Sequence, residues 1–403
     1  MLNIYDKITP EGTQDVLFQD CIVRQEVRNA ILSLLYRRGF RPVMTPAMEF
    51  YDLFGANRYF AQESMYKLVD AQGRILVLRP DSTIPIARLT ATKLQNETDP
   101  VRLCYCQPAY RANPSLRGRM DEVFQCGAEL IGAAGAKADL EMLRTAEDCL
   151  QACGAQPFTL EIGHIGLFKA LMDELDAPGV QKEEMRQLIE AKNYAALGDL
   201  LDALPASPAA DLLRKLPRLF GGAEVFSQAE RLSPSPAFQA ALAELERLYR
   251  HLTQGDTKAQ VLVDLGLVNQ AEYYTGVVFR GYLPGVGQPV LSGGRYDRLL
   301  DDFGLRKPAI GFAIHLDAVA GYLQQTSPRA PLTPEVLVYW EPQQSVQGFA
   351  LLRRLCEEGT VCESSLADSR EEAAAYAKAK GIPWLYVAGS EWEKIEIGKE
   401  AEE

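Results

Sequence analysis

The chain has 403 residues, 47% of them hydrophobic and 24% charged, the composition of an ordinary soluble protein with two or three domains rather than one small core. No apolar run approaches the roughly 20 residues that a bilayer span requires. Residues 1–7 lack the basic start and apolar stretch of a secretory leader, so a cytoplasmic location and no membrane partner are expected. The net charge of −12 argues against a broad grip on a polyanion, which needs clustered Lys and Arg.

In chain order, Asp15 stands where it would cap a helix carrying Ile22, Val23, Val27, Ile31, Leu34 and Leu35 on one stripe, with Gly39 ending it. Residues 40–46 read as an extended edge or interface segment, since two prolines occur there. Strands are expected at 75–78 and 101–106. From about 166 to 250 the pattern turns helical and Leu/Ala-rich, interrupted by Pro205, Pro208, Pro217, Pro234 and Pro236. Strand signals return at 259–268, 273–281 and 290–292, and residues 308–318 read as a strand running into a helix.

The expected architecture is α+β. One large domain spans residues 1–326 with a helical insertion at about 166–250, a linker covers 327–334, and a small α/β domain covers 335–403. The last of these alternates strand and helix, which predicts a mainly parallel sheet. Residues 331–403 hold fourteen Asp and Glu against seven Lys and Arg, so the tail is the most acidic part of the chain.

Eight cysteines and three histidines occur without paired Cys-x-x-Cys units, so no metal site is expected. Cys104 and Cys106 share a strand face, and Cys149 and Cys153 lie one helical turn apart. The reading is small buried thiols in a reducing compartment.

The strand 122–131 carries most information about a site. Alternation puts Phe124, Cys126, Ala128 and Leu130 on one face, and Gln125, Gly127 and Glu129 with Val123 and Ile131 on the other. That second face is either simply wet or a cleft floor, with Gly127 leaving space for a ligand between Gln125 and Glu129. Tyr273 and Tyr274, read as strand neighbours, point to opposite faces, so at most one of them reaches a given pocket, and the pair by itself reads as core packing. The glycine-rich stretch Gly293-Gly-Arg-Tyr-Asp297 lacks a P-loop ending. Asp81 and Thr83 follow a strand, where ligand groups are often met, although a solvated turn has the same pattern.

Taken in order, Glu11-Gly-Thr-Gln-Asp15, residues 39–49, Met65-Tyr-Lys67, Leu78-Arg-Pro-Asp-Ser-Thr83, Tyr110-Arg111, Gln125-Cys-Gly-Ala-Glu129, Tyr273-Tyr-Thr-Gly276, Gly293-Gly-Arg-Tyr-Asp297 and Gly311-Phe-Ala-Ile314 resemble histidyl-tRNA synthetase across almost the whole chain. The resemblance implies the class II synthetase fold, an antiparallel sheet flanked by helices, with residues 39–49 as the dimer-interface motif around Pro46. It implies a histidine pocket built from Asp81, Thr83 and Gln125 near the ammonium, and Glu129 and Tyr274 near the imidazole. Tyr273 belongs to the same set, and Arg111 is the candidate for the carboxylate. Residues 335–399 resemble a truncated anticodon-binding domain, including Gly389-Ser-Glu391 and the Lys399 region.

The departures fall on nucleotide chemistry. Where the family carries an acid and three arginines, this chain has Asn113, Asp121, Asn269 and Ala318, and His315 replaces a glycine. Adenylation needs fixed positive charge on the phosphates, and losing one such donor commonly costs on the order of 10²–10³ in rate. A pocket that is kept and a reaction that is lost resemble the regulatory subunit family of ATP phosphoribosyltransferase. That resemblance implies no catalysis of its own, no cofactor and no tRNA. It further implies a short-form catalytic subunit as partner, L-histidine as effector, and a homodimer within a hetero-oligomer. A divergent active histidyl-tRNA synthetase and a histidine sensor with another partner are the alternatives.

Overall fold

The computed structural model describes residues 7–55, 59–113, 120–255, 259–267, 273–389 and 391–398. The first helix, α1 (Phe18–Arg37), buries Val23, Val27, Ile31, Leu32 and Leu35 on one stripe. Asp15 does not cap it. The helix starts three residues later, after a backbone turned to φ +46° at Phe18, so the helical path never reaches back to Asp15. At the other end Gly39 takes φ +80°, and the Gly39 and Phe40 N–H groups donate to the Tyr36 and Leu35 carbonyls. This paired closure uses the left-handed freedom of glycine to satisfy the last carbonyls.

The chain then forms β1 (Arg41–Pro42), a small sheet of β2 (Met48–Phe50), β3 (Lys67–Val69) and β4 (Ile75–Leu78), and helix α2 (Thr83–Lys93). Two ten-residue strands, β5 (Val101–Tyr110) and β6 (Glu122–Ile131), pair antiparallel before helix α3 (Ala136–Ala152) and β7 (Thr159–His164). An insertion follows, made of α4 (Ile165–Glu174), α5 (Gly179–Glu190), α6 (Tyr194–Asp202), α7 (Pro208–Lys215), the short β8 (Phe220–Gly221), α8 (Glu224–Glu230) and α9 (Pro236–Thr253). The chain returns through β9 (Gln260–Asp264), β10 (Val277–Tyr282), β11 (Leu291–Arg295) and β12 (Ala309–His315) to α10 (Leu316–Thr326).

These strands build a nine-stranded sheet in the order β1-β5-β6-β12-β11-β10-β7-β9-β8. The central pairings from β5 through to β7 are antiparallel. The β6 alternation is as its sequence predicts: Cys126, Ala128 and Leu130 join the large core with α1 and α3. Ile131, of the opposite parity, enters a second core with Leu103, Tyr105 and Tyr296. Between those cores the second face of the sheet is left open, and the cavity described below lies over it.

The chain divides into two compact units, with the boundary between Pro328 and Arg329. In the second, β13 (Val336–Trp340) lies parallel to both β14 (Cys362–Ser364) and β15 (Trp384–Ala388). Helices α11 (Ser345–Glu357) and α12 (Arg370–Lys380) supply separate cores on the two faces. A strand buried on both sides must be apolar at every position, which is why 336–339 reads Val-Leu-Val-Tyr. A fourth strand, β16 (Glu393–Glu396), adds antiparallel to β15; its charged sequence hid it.

Cys106 and Cys126 stand directly opposite on β5 and β6, with Cα atoms 4.1 Å apart and their sulfurs facing one another. Strand register, invisible in the sequence, brings them together. Among the described residues no helix is long and apolar enough to cross a membrane.

Candidate functional site

A cavity of about 1060 Å³ opens over the sheet face that carries Gln125 of β6, His315 of β12, Ser292 of β11 and Arg280 of β10. Register explains this grouping. Gln125 pairs with His315, and Arg280 pairs with Ser292, which in turn pairs with Ala313. Residues in register on neighbouring strands project to the same side of a sheet.

The wall at the start of α2 is acidic. Asp81 is buried; its Oδ1 accepts from the Ile84 N–H at 3.2 Å, and its Oδ2 accepts from the Tyr273 hydroxyl at 3.2 Å. Burial pushes its pKa up, while the Arg111 guanidinium and these donors pull it back. Arg111 follows β5. Its Nε donates to the Pro80 carbonyl at 2.7 Å, and its guanidinium lies 5.2 Å from the Phe60 ring centroid. A carboxylate and a guanidinium thus line the same cavity.

Of the residues singled out from sequence, Asp81, Thr83, Arg111, Gln125, Tyr273 and Tyr274 line the cavity. Glu129 does not; it lies one layer behind. Its two oxygens are taken by the hydroxyls of Thr83, at 2.9 Å, and Tyr296, at 2.5 Å, which themselves face the cavity. Only 1% of Glu129 is exposed, and burial pushes its pKa up to about 8.

Two further expectations are overturned. Tyr273 and Tyr274 both line the cavity, with ring centroids 4.8 Å apart. Strand β10 begins only at Val277, so the alternation that would separate the tyrosines does not apply to them. Gly127 leaves room for a neighbour rather than a ligand. A Cβ there would overlap the Tyr105 ring end and the Phe312 carbonyl, because Tyr105 is its cross-strand partner.

The glycine-rich stretch is scaffolding. Buried Arg295 donates to Asp139 at 2.7 Å and to Asp297 at 2.9 Å, and the Tyr274 ring packs where a Cβ on Gly294 would stand. Arg79 is likewise structural: it donates to the carbonyls of Thr45 at 2.6 Å, Pro46 at 3.0 Å and Pro108 at 2.7 Å.

Several cavity residues were not legible in the sequence. His315 lines the floor beside Gln125, and burial, with Arg111 nearby, pushes its pKa down to about 4, so the ring is neutral. Tyr296 reaches Glu129 from a stretch noted only for its glycines. From the insertion, α5 brings Glu183, Arg186, Gln187 and Glu190 to the far wall, where Arg186 donates to Glu183 at 2.8 Å and Glu190 at 3.4 Å.

At the positions where cations are missing, Asp121 accepts a hydrogen bond from the Tyr66 hydroxyl, and Ala318, in the first turn of α10, packs against the large core. Asn269, Ser390 and Lys399 lie outside the described residues.

The sequence pattern of the histidyl-tRNA synthetase family matches residues 12–319. The ATP phosphoribosyltransferase regulatory subunit of Clostridium kluyveri is 39% identical over 94% of this chain and 99% of its own length. A crystal structure from Bacillus halodurans, described as an ATP phosphoribosyltransferase regulatory subunit/histidyl-tRNA synthetase, superposes with a TM-score of 0.81 at 29% identity, covering 92% of this chain and 96% of that one. Histidyl-tRNA synthetase from Nostoc, 20% identical, covers 97% of both chains with a TM-score of 0.75 and shares the fold. Built on the class II synthetase fold, the chain belongs to the ATP phosphoribosyltransferase regulatory subunit family.

Proposed function

We propose that the chain is a non-catalytic histidine sensor. It activates a short-form ATP phosphoribosyltransferase catalytic subunit and conveys feedback inhibition by L-histidine to it. The observation that carries this reading is the presence of Asp81 and Arg111 in one cavity. A zwitterionic amino acid offers an ammonium and a carboxylate side by side, and both must meet opposite charge once they leave water. Asp81, Thr83, Gln125 and Tyr273 would take the ammonium and its surroundings, and Arg111 the carboxylate. Tyr274 would meet the imidazole, with Glu129 acting through the hydroxyls of Thr83 and Tyr296.

Loss of adenylation is supported by Asp121 and Ala318, neither of which offers a charge to a phosphate. The acidic region 335–403, read as a truncated anticodon-binding-like domain, suits a protein contact better than tRNA. A symmetric dimer is supported by the segment around Pro46, where Met44, Met48 and Phe50 are exposed at 81%, 54% and 49%. Feedback then requires histidine to favour one conformation of the cytoplasmic hetero-oligomer over another.

The test mixes this chain with a short catalytic subunit, ATP and phosphoribosyl pyrophosphate, and follows phosphoribosyl-ATP. Formation should depend on this chain and fall when histidine is added. If the chain alters neither rate nor inhibition, the reading fails. Histidine-dependent ATP–pyrophosphate exchange, expected to be absent, would point instead to an active synthetase.

A further inference from the structure

The ligand's carboxylate has one plain partner in the proposed reading, Arg111. A second polar group stands at the same end of the cavity. His315 is the last residue of β12 and the residue before α10. Its backbone N–H is used by the Val290 carbonyl at 2.8 Å, while its ring makes no capping bond to the helix that follows. The imidazole instead lines the cavity beside Gln125, its cross-strand partner, together with Arg111. Three hydrogen-bonding side chains from two strands and a loop therefore line one cavity, with Gln125 and His315 in register and the Arg111 charge felt at the His315 ring.

We infer that His315 recognises the free α-carboxylate of the bound amino acid, donating one ring N–H while Arg111 supplies the charge; this rests on the histidine-sensor reading. A neutral imidazole has one donor and one acceptor. Only its donor suits a carboxylate, so the proton-bearing nitrogen faces the ligand. A ring at that point would also crowd a group attached to the carboxylate. His315 thus selects a free acid over an ester or an activated acyl group, and it keeps a charged carboxylate without a second buried cation.

The experiment is calorimetric titration of the full chain with L-histidine, L-histidine methyl ester and histamine. Three proteins are compared: the native chain, His315→Gln, which keeps an N–H donor, and His315→Leu, which keeps bulk without one. Hydrogen bonds to charged groups predict that His315→Leu binds histidine roughly tenfold or more weakly. His315→Gln should stay within about threefold of the native chain, and neither substitution should weaken histamine, which has no carboxylate. Equal histidine affinity in the Gln and Leu variants, or equal weakening of histidine and histamine, overturns the assignment. Failure of the native chain to bind histidine at all overturns the sensor reading beneath it.

Discussion

Glu129→Gln offers the sharpest check on how the buried wall of the site is held. The carboxyl is fully enclosed and its pKa is raised from 4.5 to about 8, chiefly by burial. In the unfolded chain it ionises near its ordinary value. Between those two values the folded protein binds a proton that the unfolded chain has released, so stability must fall as pH rises. A shift of that size implies a loss of about 2.5 kcal/mol between pH 5.5 and 7.5 from this one group. Glutamine cannot ionise, yet its carbonyl and amide can still meet the hydroxyls of Thr83 and Tyr296. The variant should therefore gain on the native chain by about that amount across the interval. Urea unfolding followed by far-UV circular dichroism measures it. All three tryptophans, Trp340, Trp384 and Trp392, lie in the second compact unit, so their fluorescence reports on that unit separately. A difference between the two proteins that stays constant with pH would refute the reasoning.

Other substitutions probe separate links. Arg295→Met removes one partner of the buried pair with Asp139 and should cost about 3–5 kcal/mol in urea unfolding; a loss under about 1 kcal/mol would show that the pair is relaxed by water. Gly127→Ala must displace Tyr105, since a Cβ overlaps its ring end, and should cost about 1–3 kcal/mol of stability; native stability would contradict the close approach. Tyr273→Phe deletes the hydroxyl that donates to Asp81 at 3.2 Å and should weaken histidine binding roughly tenfold, with unchanged calorimetric affinity counting against Asp81 as the ammonium partner. Arg79→Ala frees the carbonyls of Thr45 and Pro46, and sedimentation should show a shift toward monomer, while an unaltered dimer would separate that segment from assembly.

Local pattern explains what could be read early. The face assignment on β6 follows from a period of two, which depends only on the strand being extended. Helix α1 and its Gly39 closure depend on spacing and on the freedom of one glycine. The fold, and the site residues Asp81, Thr83, Arg111 and Gln125, come instead from the resemblance that nine short motifs carry in order; local pattern alone does not name them. Local rules have a limited range: strand alternation does not govern Tyr273 and Tyr274, which precede β10, and the space beside Gly127 belongs to the Tyr105 ring across from it.

From the amino-acid order alone, then, follow the stripe of α1 and the polar face of β6, while the missing cations at positions 121, 269 and 318 are read from the family resemblance. Tertiary structure decided which distant groups meet that face. It set Glu129 behind Thr83 and Tyr296, turned both tyrosines inward, brought α5 from the insertion to the far wall, and stood His315 beside Gln125. The physical reason is that periodicity tells a side chain which way to point. What it meets there depends on strand register and on chain segments a hundred or more residues away.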